Sequence, residues 1–501
     1  MLFNSFPFFF IFLPLALLGY FLFSKISIRV SITFLMVASV GFYGYWNPLF
    51  LPILFGSIIS NFLLGRAISQ RQDGGQAQGA KKMLVLGLVF NLSLLVFFKY
   101  ADFVVANIAW LTGLKIGPFG IPLPIGISFF TFTQIAYLVD CHAGKVREVK
   151  PENYGLFVTY FPHLIAGPIL HHKDMMPQFD QVESHTARRG RIVLGLLFFS
   201  IGLFKKIVLA DGVARFVGPV FDLNHASLTM LEAWCGALAY TFQLYFDFSA
   251  YSDMAYGLSY MFGIVLPINF NSPYQSTSII EFWRRWHITL STFLRDYLYI
   301  PLGGNRRGPT ARQINLLITM LLGGLWHGAN WTFVAWGALH GTYLMINHVF
   351  RNAVGERSGK LVALAGWAIT FVAVVAGWVL FRASSIGVAW DILQAMCHST
   401  LMAGTSGGPG AAGALAGSGL AGINRIMAVD ECLLWLLACG GVAFFLPNVY
   451  QWLGRGMRPK LEAKLSTGSG GLLLGLLLGL ICLMLIIGET RGISEFLYFN
   501  F

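Results

Sequence analysis

The chain has 501 residues, of which 56% are hydrophobic and only 11% are charged, and its mean hydropathy is +0.67. Soluble domains carry about 25% charged residues, so this composition excludes a soluble globular protein and predicts a polytopic membrane protein. The net charge of +12 is typical of cytoplasmic loops enriched in Lys and Arg. No polar domain that would bind nucleic acid is visible in the sequence.

Apolar segments long enough to cross a membrane, about 20 residues, recur along the chain. The clear candidates are residues 7–24, 28–46, 49–65, 83–98, 122–140, 192–210, 229–247, 331–350, 361–381, 430–447 and 470–488. Residues 152–170, 248–266 and 313–326 are shorter or richer in Gly, Pro and polar side chains. They predict broken or re-entrant helices, which are tolerated at membrane depth only where protein or a cavity covers them.

The polar connections are short, and we expect one domain over residues 1–501. The first apolar segment has no positive residues before it and is followed by Lys25 and Arg29. This predicts an uncleaved first span with those two charges on the cytoplasmic side. Residues 66–82 form a basic, cytoplasmic loop, and residues 403–422 form a Gly/Ala-rich linker with no evident chemistry.

The six cysteines predict neither a disulfide framework nor a zinc site. No two of them form a CxxC pair, and most lie in apolar runs. They are typical of small buried hydrophobic side chains, and we expect no metal centre in the chain.

Residues 278–299 predict one amphipathic helix at the membrane interface or against the cytoplasmic side of the protein. Its apolar residues recur at three- and four-residue steps: Phe282, Trp286, Leu290, Phe293, Leu294 and Tyr297. Arg284, Arg285, Arg295 and Asp296 interrupt the apolar face, and Asp296 is placed to pair with Arg295. A plain interfacial helix without chemistry fits the periodicity equally well.

Two histidines in apolar sequence, His287 and His327, are the candidate catalytic residues. Each follows a tryptophan directly. An ionisable side chain at membrane depth costs at least a few kcal/mol and is rare there without a function. Histidine is also the side chain best suited to proton transfer near neutral pH.

The surroundings of His327 predict a water-excluding pocket. Gly323, Gly324 and Gly328 allow close approach of backbone or substrate, while Trp326 and Trp331 can form its walls. Asn330, three residues on, is expected to hydrogen-bond one imidazole nitrogen. His340 is a weaker candidate that is expected to face a neighbouring helix. The alternative for each histidine is a satisfied core side chain.

Arg284 and Arg285 precede His287 by less than one helical turn. Their charges would keep His287 neutral and able to act as a base. The alternative is that they bind an anionic group, such as a phosphate of a coenzyme or a lipid.

A third polar set, residues 243–253, includes Gln243, Tyr245 and Asp247 in an otherwise apolar run. It predicts a lined cavity or a helix break. His163, His171 and His172 lie in a Gly/Pro-containing stretch that predicts a re-entrant turn with interfacial histidines, since no metal-ligand spacing completes the set.

At these residues the chain resembles the membrane-bound O-acyltransferases, in particular the bacterial alginate O-acetyltransferase type with its cellulose- and peptidoglycan-acetylating relatives. The matching segments are residues 161–168, 243–249, 281–304, 320–331 and 496–501. The run from Trp326 to Trp331, Trp-His-Gly-Ala-Asn-Trp, is the most specific of them. The linker at 403–422 is the chief departure.

The resemblance implies an all-α, multi-pass fold of about 11–14 membrane helices around a tunnel, in the bacterial inner membrane. It implies that His327 matches the essential histidine and His287 the second one. We expect the tunnel and substrate-binding residues to be Trp326, Asn330, Trp331, Arg284, Arg285, Asp296, Gln243, Tyr245 and Asp247.

The activity expected from these residues is transfer of an acetyl group to an exported polysaccharide. The donor would be a cytoplasmic thioester such as acetyl-CoA, used as a substrate with no bound cofactor, and an extracytoplasmic partner protein would complete the transfer. Three alternatives remain: transfer of D-alanyl or another acyl group, transport of an acylated intermediate without chemistry, and a structural anchor.

Overall fold

The computed structural model describes residues 1–146, 150–181, 189–222, 228–355, 359–398, 428–454, 457–466, 469–492 and 494–497. Over these residues all regular structure is helical. The helices are α1 Leu13–Ser24, α2 Ile28–Trp46, α3 Leu51–Asp73, α4 Ala77–Leu95, α5 Ala101–Thr112, α6 Ile127–His142, α7 Pro151–Thr159, α8 His172–Phe179, α9 Arg189–Phe204, α10 Asp211–Ala214, α11 Gly218–Phe221, α12 Met230–Met261, α13 Ile279–Arg285, α14 Ile288–Leu294, α15 Pro309–His327, α16 Trp331–Val354, α17 Lys360–Arg382, α18 Ile386–Cys397, α19 Val429–Phe445, α20 Val449–Trp452, α21 Met457–Leu465 and α22 Ser469–Arg491. Short π-helical turns occupy Pro7–Phe12, Val96–Tyr100, Lys205–Ala210 and Arg295–Tyr299.

Eight helical segments in the described part of the chain are long and apolar enough to cross a membrane. They are Pro7–Ser24, Ile28–Trp46, Pro48–Asp73, Ala77–Thr112, Arg189–Ala214, Lys360–Arg382, Val429–Trp452 and Gly470–Arg491. The prediction of an all-α, multi-pass membrane protein is confirmed. The predicted spans 122–140, 229–247 and 331–350 also form helices, α6, α12 and α16, but these are shorter or more polar. The linker at 403–422 lies outside the described residues.

Helix α12 departs from the expectation of two segments, 229–247 and 248–266. It is one continuous helix of 32 residues, about 48 Å long at 1.5 Å per residue. Thr229 and Glu232 form a capping box at its start. The polar side chains in its middle do not break it, because buried partners satisfy them, as between Asp253 and Lys205 (2.6 Å).

Residues 152–170 and 313–326 were both expected to be interrupted, and only the first is. Helix α7 ends at Thr159 and turns follow it. Residues 313–326 lie inside α15, a continuous helix from Pro309 to His327. The two glycines near the end of α15 do not interrupt it. Gly324 packs closely against α16, and a Cβ at Gly323 would lie 3.1 Å from the side chain of Leu294 in α14.

Contacts between helix ends bring the basic segments of the chain together on one side of the protein. This side carries the connection between α1 and α2, residues 306–312 and the basic residues 66–82. The last were expected to form a loop, but they are the end of α3 and the start of α4 with a short turn between them. The cytoplasmic position of Lys25 and Arg29 stays a prediction. The linking contacts are Arg29 Nε to Glu152 Oε1 (2.8 Å), Gln72 Nε2 to His142 O (2.7 Å) and Tyr297 Oη to Asp140 Oδ2 (2.8 Å).

Helices α15 and α16 form a hairpin whose closest approach is made by glycines. A Cβ atom at Gly324 would lie 2.2 Å from the carbonyl oxygen of Phe333, and one at Gly337 would lie 2.3 Å from that of Met320. Small residues at such positions let membrane helices approach closely. The hairpin therefore fixes the end of α15, where His327 lies.

We expect Gly337→Ala to destabilise the protein by about 1–3 kcal/mol, the usual cost of overpacking a tight interface. The added methyl group would collide with backbone, which cannot rotate away as a side chain can. The thermal unfolding midpoint in detergent measures the effect. Gly41→Ala is the matched control, because a Cβ there would meet no atom within 4 Å. Equal midpoints for the two variants would contradict the close packing.

Candidate functional site

The predicted amphipathic helix at 278–299 is broken in two, and the break is at His287. Helix α13 ends at Arg285, α14 starts at Ile288, and His287 has φ = 41°. A non-glycine residue in this left-handed region is uncommon and marks a functional or strained position. The break turns the side chain of His287, which is fully buried, into the protein.

Asn269 holds His287 in this conformation. The Oδ1 atom of Asn269 accepts hydrogen bonds from His287 Nδ1 (3.0 Å), Thr289 Oγ1 (2.9 Å) and Thr289 N (3.3 Å). Ile288 N also donates to Asn269 O (2.9 Å). Because Nδ1 donates, the neutral imidazole carries its lone pair on Nε2, so Nε2 is the nitrogen able to accept a proton.

His327 is the last residue of α15 and is 3% exposed. Aromatic rings surround it: the centroid of its ring is 4.9 Å from Trp326, 5.0 Å from Phe381 and 5.3 Å from Trp336. These rings exclude water, which strengthens every electrostatic interaction inside the site.

Trp326 brings the two histidines into one site. Its ring lies 4.9 Å from His327 and 6.2 Å from His287 between centroids. It also stacks on Phe132 (5.2 Å). Residues 40 positions apart in the sequence therefore share a neighbour, and the expected meeting of His287 and His327 is a tertiary contact through Trp326.

Lys99 and Tyr100, which the sequence reasoning missed, bind the end of the helix that carries His327. Lys99 Nζ donates to Trp326 O (2.5 Å) and to Ser128 Oγ (3.1 Å), and Tyr100 Oη donates to Leu325 O (2.7 Å). Both residues lie in the π-helical turn between α4 and α5. A lysine directly after the apolar run 83–98 was the signal that could have revealed them.

Asn330 and Trp331 are not in the arrangement expected for them. Helix α15 ends at His327, so Asn330 starts the next helix and its Oδ1 caps Thr332 N (3.0 Å). Its amide nitrogen donates to Ser384 O (3.0 Å). Trp331 is 56% exposed and its indole donates to Asn107. The expected Asn330–His327 hydrogen bond is therefore wrong, since both polar atoms of that amide are engaged elsewhere.

The charged residues near His287 face away from it. Arg284 is exposed, and Arg285 pairs with Glu281 (2.7 Å). The expected pair of Asp296 and Arg295 is confirmed, with oxygen–nitrogen distances of 2.6 and 3.1 Å. Burial alone would raise the pKa of Asp296, but the guanidinium of Arg295 outweighs it and lowers that pKa below its usual value.

The polar set of α12 divides between two environments. Tyr245 is buried against aromatic rings. One of them is Trp286, the residue before His287, whose ring centroid is 6.4 Å from that of Tyr245. Gln243 is partly buried. Asp247 instead pairs with buried Lys206 (2.8 Å) and accepts from Leu497 N (2.9 Å). Asp247 therefore belongs to an ionic cluster, and the neighbouring Phe248 is the residue that touches His287 (4.7 Å).

The other histidines considered in the sequence, His163, His171, His172 and His340, are also buried. His340 is fully buried against Trp283 and Trp336 and faces α17, as expected, where a Cβ at Gly377 would lie 2.6 Å from its Nε2. His163 Nε2 lies 2.9 Å from Phe157 O, and His171 Nδ1 lies 3.1 Å from Tyr297 Oη; the interfacial position of His163, His171 and His172 stays a prediction.

Comparison with known proteins identifies a family for the part of the chain that contains these residues. Residues 126–386, which contain His287, His327 and Asn269, match the model of the membrane-bound O-acyltransferase family. A peptidoglycan O-acetyltransferase of Helicobacter pylori is 44% identical over 424 residues, 79% of this chain and 80% of that protein. A probable alginate O-acetylase of Pseudomonas aeruginosa is 44% identical over 402 residues, 79% of this chain and 75% of that one.

A more distant relative is a teichoic acid D-alanyltransferase of Streptococcus thermophilus, 27% identical over 360 residues, 68% of this chain and 82% of that protein. The family match spans the broken helix, the α15–α16 hairpin and both buried histidines. This chain therefore belongs to the membrane-bound O-acyltransferase family and is a multi-pass membrane acyltransferase.

Proposed function

We propose that this enzyme transfers acetyl groups from a cytoplasmic thioester donor to an exported polysaccharide, in the inner membrane of a bacterium. The observation that carries the proposal is the shared burial of His287 and His327 around Trp326. The substrate class rests on the relatives at 44% identity, whose names specify O-acetylation of peptidoglycan and of alginate.

In the proposed reaction, His327 takes the proton of an acceptor hydroxyl as the oxygen of that hydroxyl bonds to the acyl carbonyl carbon. The hydroxyl belongs to the polysaccharide or to the partner protein that passes the acetyl group on. The carbon–sulfur bond of the thioester then breaks, and the proton passes from His327 to the departing thiolate. His287, held by Asn269, positions the reacting groups and can accept a hydrogen bond at Nε2. The aromatic wall of Trp326, Trp336 and Phe381 keeps water from competing with the acceptor.

The donor, acetyl-CoA or another acetyl thioester, enters as a substrate. The basic side of the molecule, which the positive-inside rule assigns to the cytoplasm, suits an anionic carrier. An extracytoplasmic partner protein completes the transfer in this proposal, because the described helices include no soluble domain able to hold a long glycan.

D-alanyl transfer on the same scaffold is the second candidate, because a D-alanyltransferase is 27% identical over 68% of this chain. The two functions differ in the group attached to the polymer. A transporter that moves an acylated intermediate differs from both, because its activity would survive the loss of either histidine.

The experiment is to release ester-linked groups from the exported polysaccharide by mild base, in the wild-type bacterium, a deletion strain and the complemented strain. We expect acetate from the first and third, and a deficit in the deletion strain. Release of D-alanine instead would support the second candidate, and equal acetate in all three strains would refute the proposal. Membrane vesicles that acetylate enclosed polysaccharide without any added protein would refute the partner.

Asn269→Leu is expected to lower acetylation by about 10–100-fold, the usual effect of removing a residue that orients a functional histidine. The substitution removes the acceptor that fixes Nδ1 of His287 as the donor. Base-released acetate per sugar residue measures it. Asn61→Leu is the control, since Asn61 is equally buried but bonds Asn91, away from the site. Equal acetate in the two variants would contradict the role of Asn269.

A further inference from the structure

Lys99 is a basic side chain whose amino group turns into the protein from an apolar membrane span, Ala77–Thr112. Two of its three donor positions bind Trp326 O (2.5 Å) and Ser128 Oγ (3.1 Å). No carboxylate pairs with it within the residues that the structure describes. Its amino group is thus held by a backbone carbonyl, a hydroxyl and the ring of Trp326, whose centroid is 5.7 Å from Nζ. Trp326 directly precedes His327 in the chain.

The hydrogen bond from Lys99 to Trp326 O gives a partner to a carbonyl group at the end of a helix. The last carbonyl groups of a helix have no partner within it, and no water is available in a membrane to bind them. Helix α15 ends at His327 and Gly328 is extended (φ −169°, ψ 155°). The partial negative charge at a helix C-terminus also favours a cation.

A neutral donor is nevertheless sufficient to bind such a carbonyl group, and the next residue demonstrates it. Tyr100 Oη binds Leu325 O at 2.7 Å with no charge. A lysine within a spanning helix costs about 2.5–3.5 kcal/mol by insertion measurements. The two neighbours perform the same capping, so capping alone does not explain why a lysine occupies position 99.

We propose that Lys99 is a positioning residue for His327, and that its positive charge is required for that role. This inference rests on the proposed function of His327. The ammonium holds the carbonyl of Trp326 by a charge-assisted bond, which is about twice as strong as a neutral one. It thereby fixes the peptide that joins Trp326 to His327, and with it the direction of the imidazole.

The test uses chromosomal alleles that encode Lys99→Met, Lys99→Arg, Tyr100→Phe and His327→Ala in the native bacterium. Lys99→Met keeps the length and removes the charge, Lys99→Arg keeps the charge, and Tyr100→Phe removes only the neutral capping bond. The readouts are the initial rate at which base-labile acetate appears on the exported polysaccharide and the thermal unfolding midpoint of the purified protein in detergent.

We expect Lys99→Met to lower the rate by about 10²-fold, as misplacement of a reacting group by about 1 Å does. Lys99→Arg should recover most of the rate, and Tyr100→Phe should lose no more than a few-fold. The thermal unfolding midpoints of Lys99→Met and Tyr100→Phe should be similar to each other.

The inference is overturned if Lys99→Met keeps the wild-type rate, if Lys99→Arg fails to rescue it, or if Tyr100→Phe loses as much. A loss that follows the unfolding midpoint of each variant also overturns it, because the role would then be structural. His327→Ala separates the two proposals. A normal rate in the His327→Ala variant refutes the proposed function itself. If the His327→Ala variant is inactive but the Lys99→Met variant keeps its activity, only the role of Lys99 is refuted.

Discussion

Replacing His327 by alanine is expected to lower polysaccharide acetylation by at least 10²–10⁴-fold, the usual contribution of a general base. The protein should still fold, because the substitution removes a ring that is packed by aromatic neighbours but leaves the α15–α16 hairpin intact. Base-released acetate measures the activity, and the amount of protein in the membrane and its unfolding midpoint measure the fold.

The control for this variant is another buried histidine, His340. It lies in a similar aromatic environment, and Trp336 packs against both histidines. The ring centroid of Trp336 is 5.3 Å from that of His327 and 4.9 Å from that of His340. His340→Leu nearly keeps the volume and should keep the activity. If His340→Leu abolished acetylation while His327→Ala retained it, the proton would be transferred by His340, and our assignment to His327 would be wrong.

The sequence indicated the candidate histidines because the cost of an ionisable group at membrane depth is a local property of the chain. It did not reveal Asn269, which lies 18 residues before His287 and meets it only where the chain folds back. Nor did it reveal Lys99, which reaches Trp326 across 227 positions. Single-sequence periodicity carries no information about such partners.

The errors in the fold have the same origin. Polar residues in α12 predicted a break because an unpaired polar group is costly in a membrane, but Lys205 and Lys206 satisfy Asp253 and Asp247 from the neighbouring segment. The periodicity of 278–299 predicted one helix, but bonds from residues 269–271 compensate for the break at His287. In both places a tertiary partner reversed a local preference.

The buried pair of Lys206 and Asp247 leads to the second large expected effect. Both side chains are 2% exposed, and their charged atoms are 2.8 Å apart. Lys206 also binds Asp211 (2.9 Å) and Glu495 O (3.0 Å), while Asp247 accepts from Leu497 N. The pair therefore ties α12 to the segment that contains Ser494–Leu497.

Lys206→Met should destabilise the protein by about 3–5 kcal/mol, because it leaves the carboxylate of Asp247 buried without its cation. The free energy of unfolding, measured in detergent with denaturant, reports this cost. Lys82→Met makes the same chemical change on an exposed side chain, so its effect should stay within about 0.5 kcal/mol.

The double variant Lys206→Met with Asp247→Leu distinguishes a structural Asp247 from the substrate-binding residue suggested by its polar surroundings in the sequence. Replacing a whole buried ion pair by apolar groups is often neutral or stabilising, so we expect the double variant to regain most of the lost stability. It should also regain acetylation, since Asp247 faces Lys206 while Phe248 faces His287. A double variant that folds normally but does not acetylate would show that Asp247 acts in the active site after all.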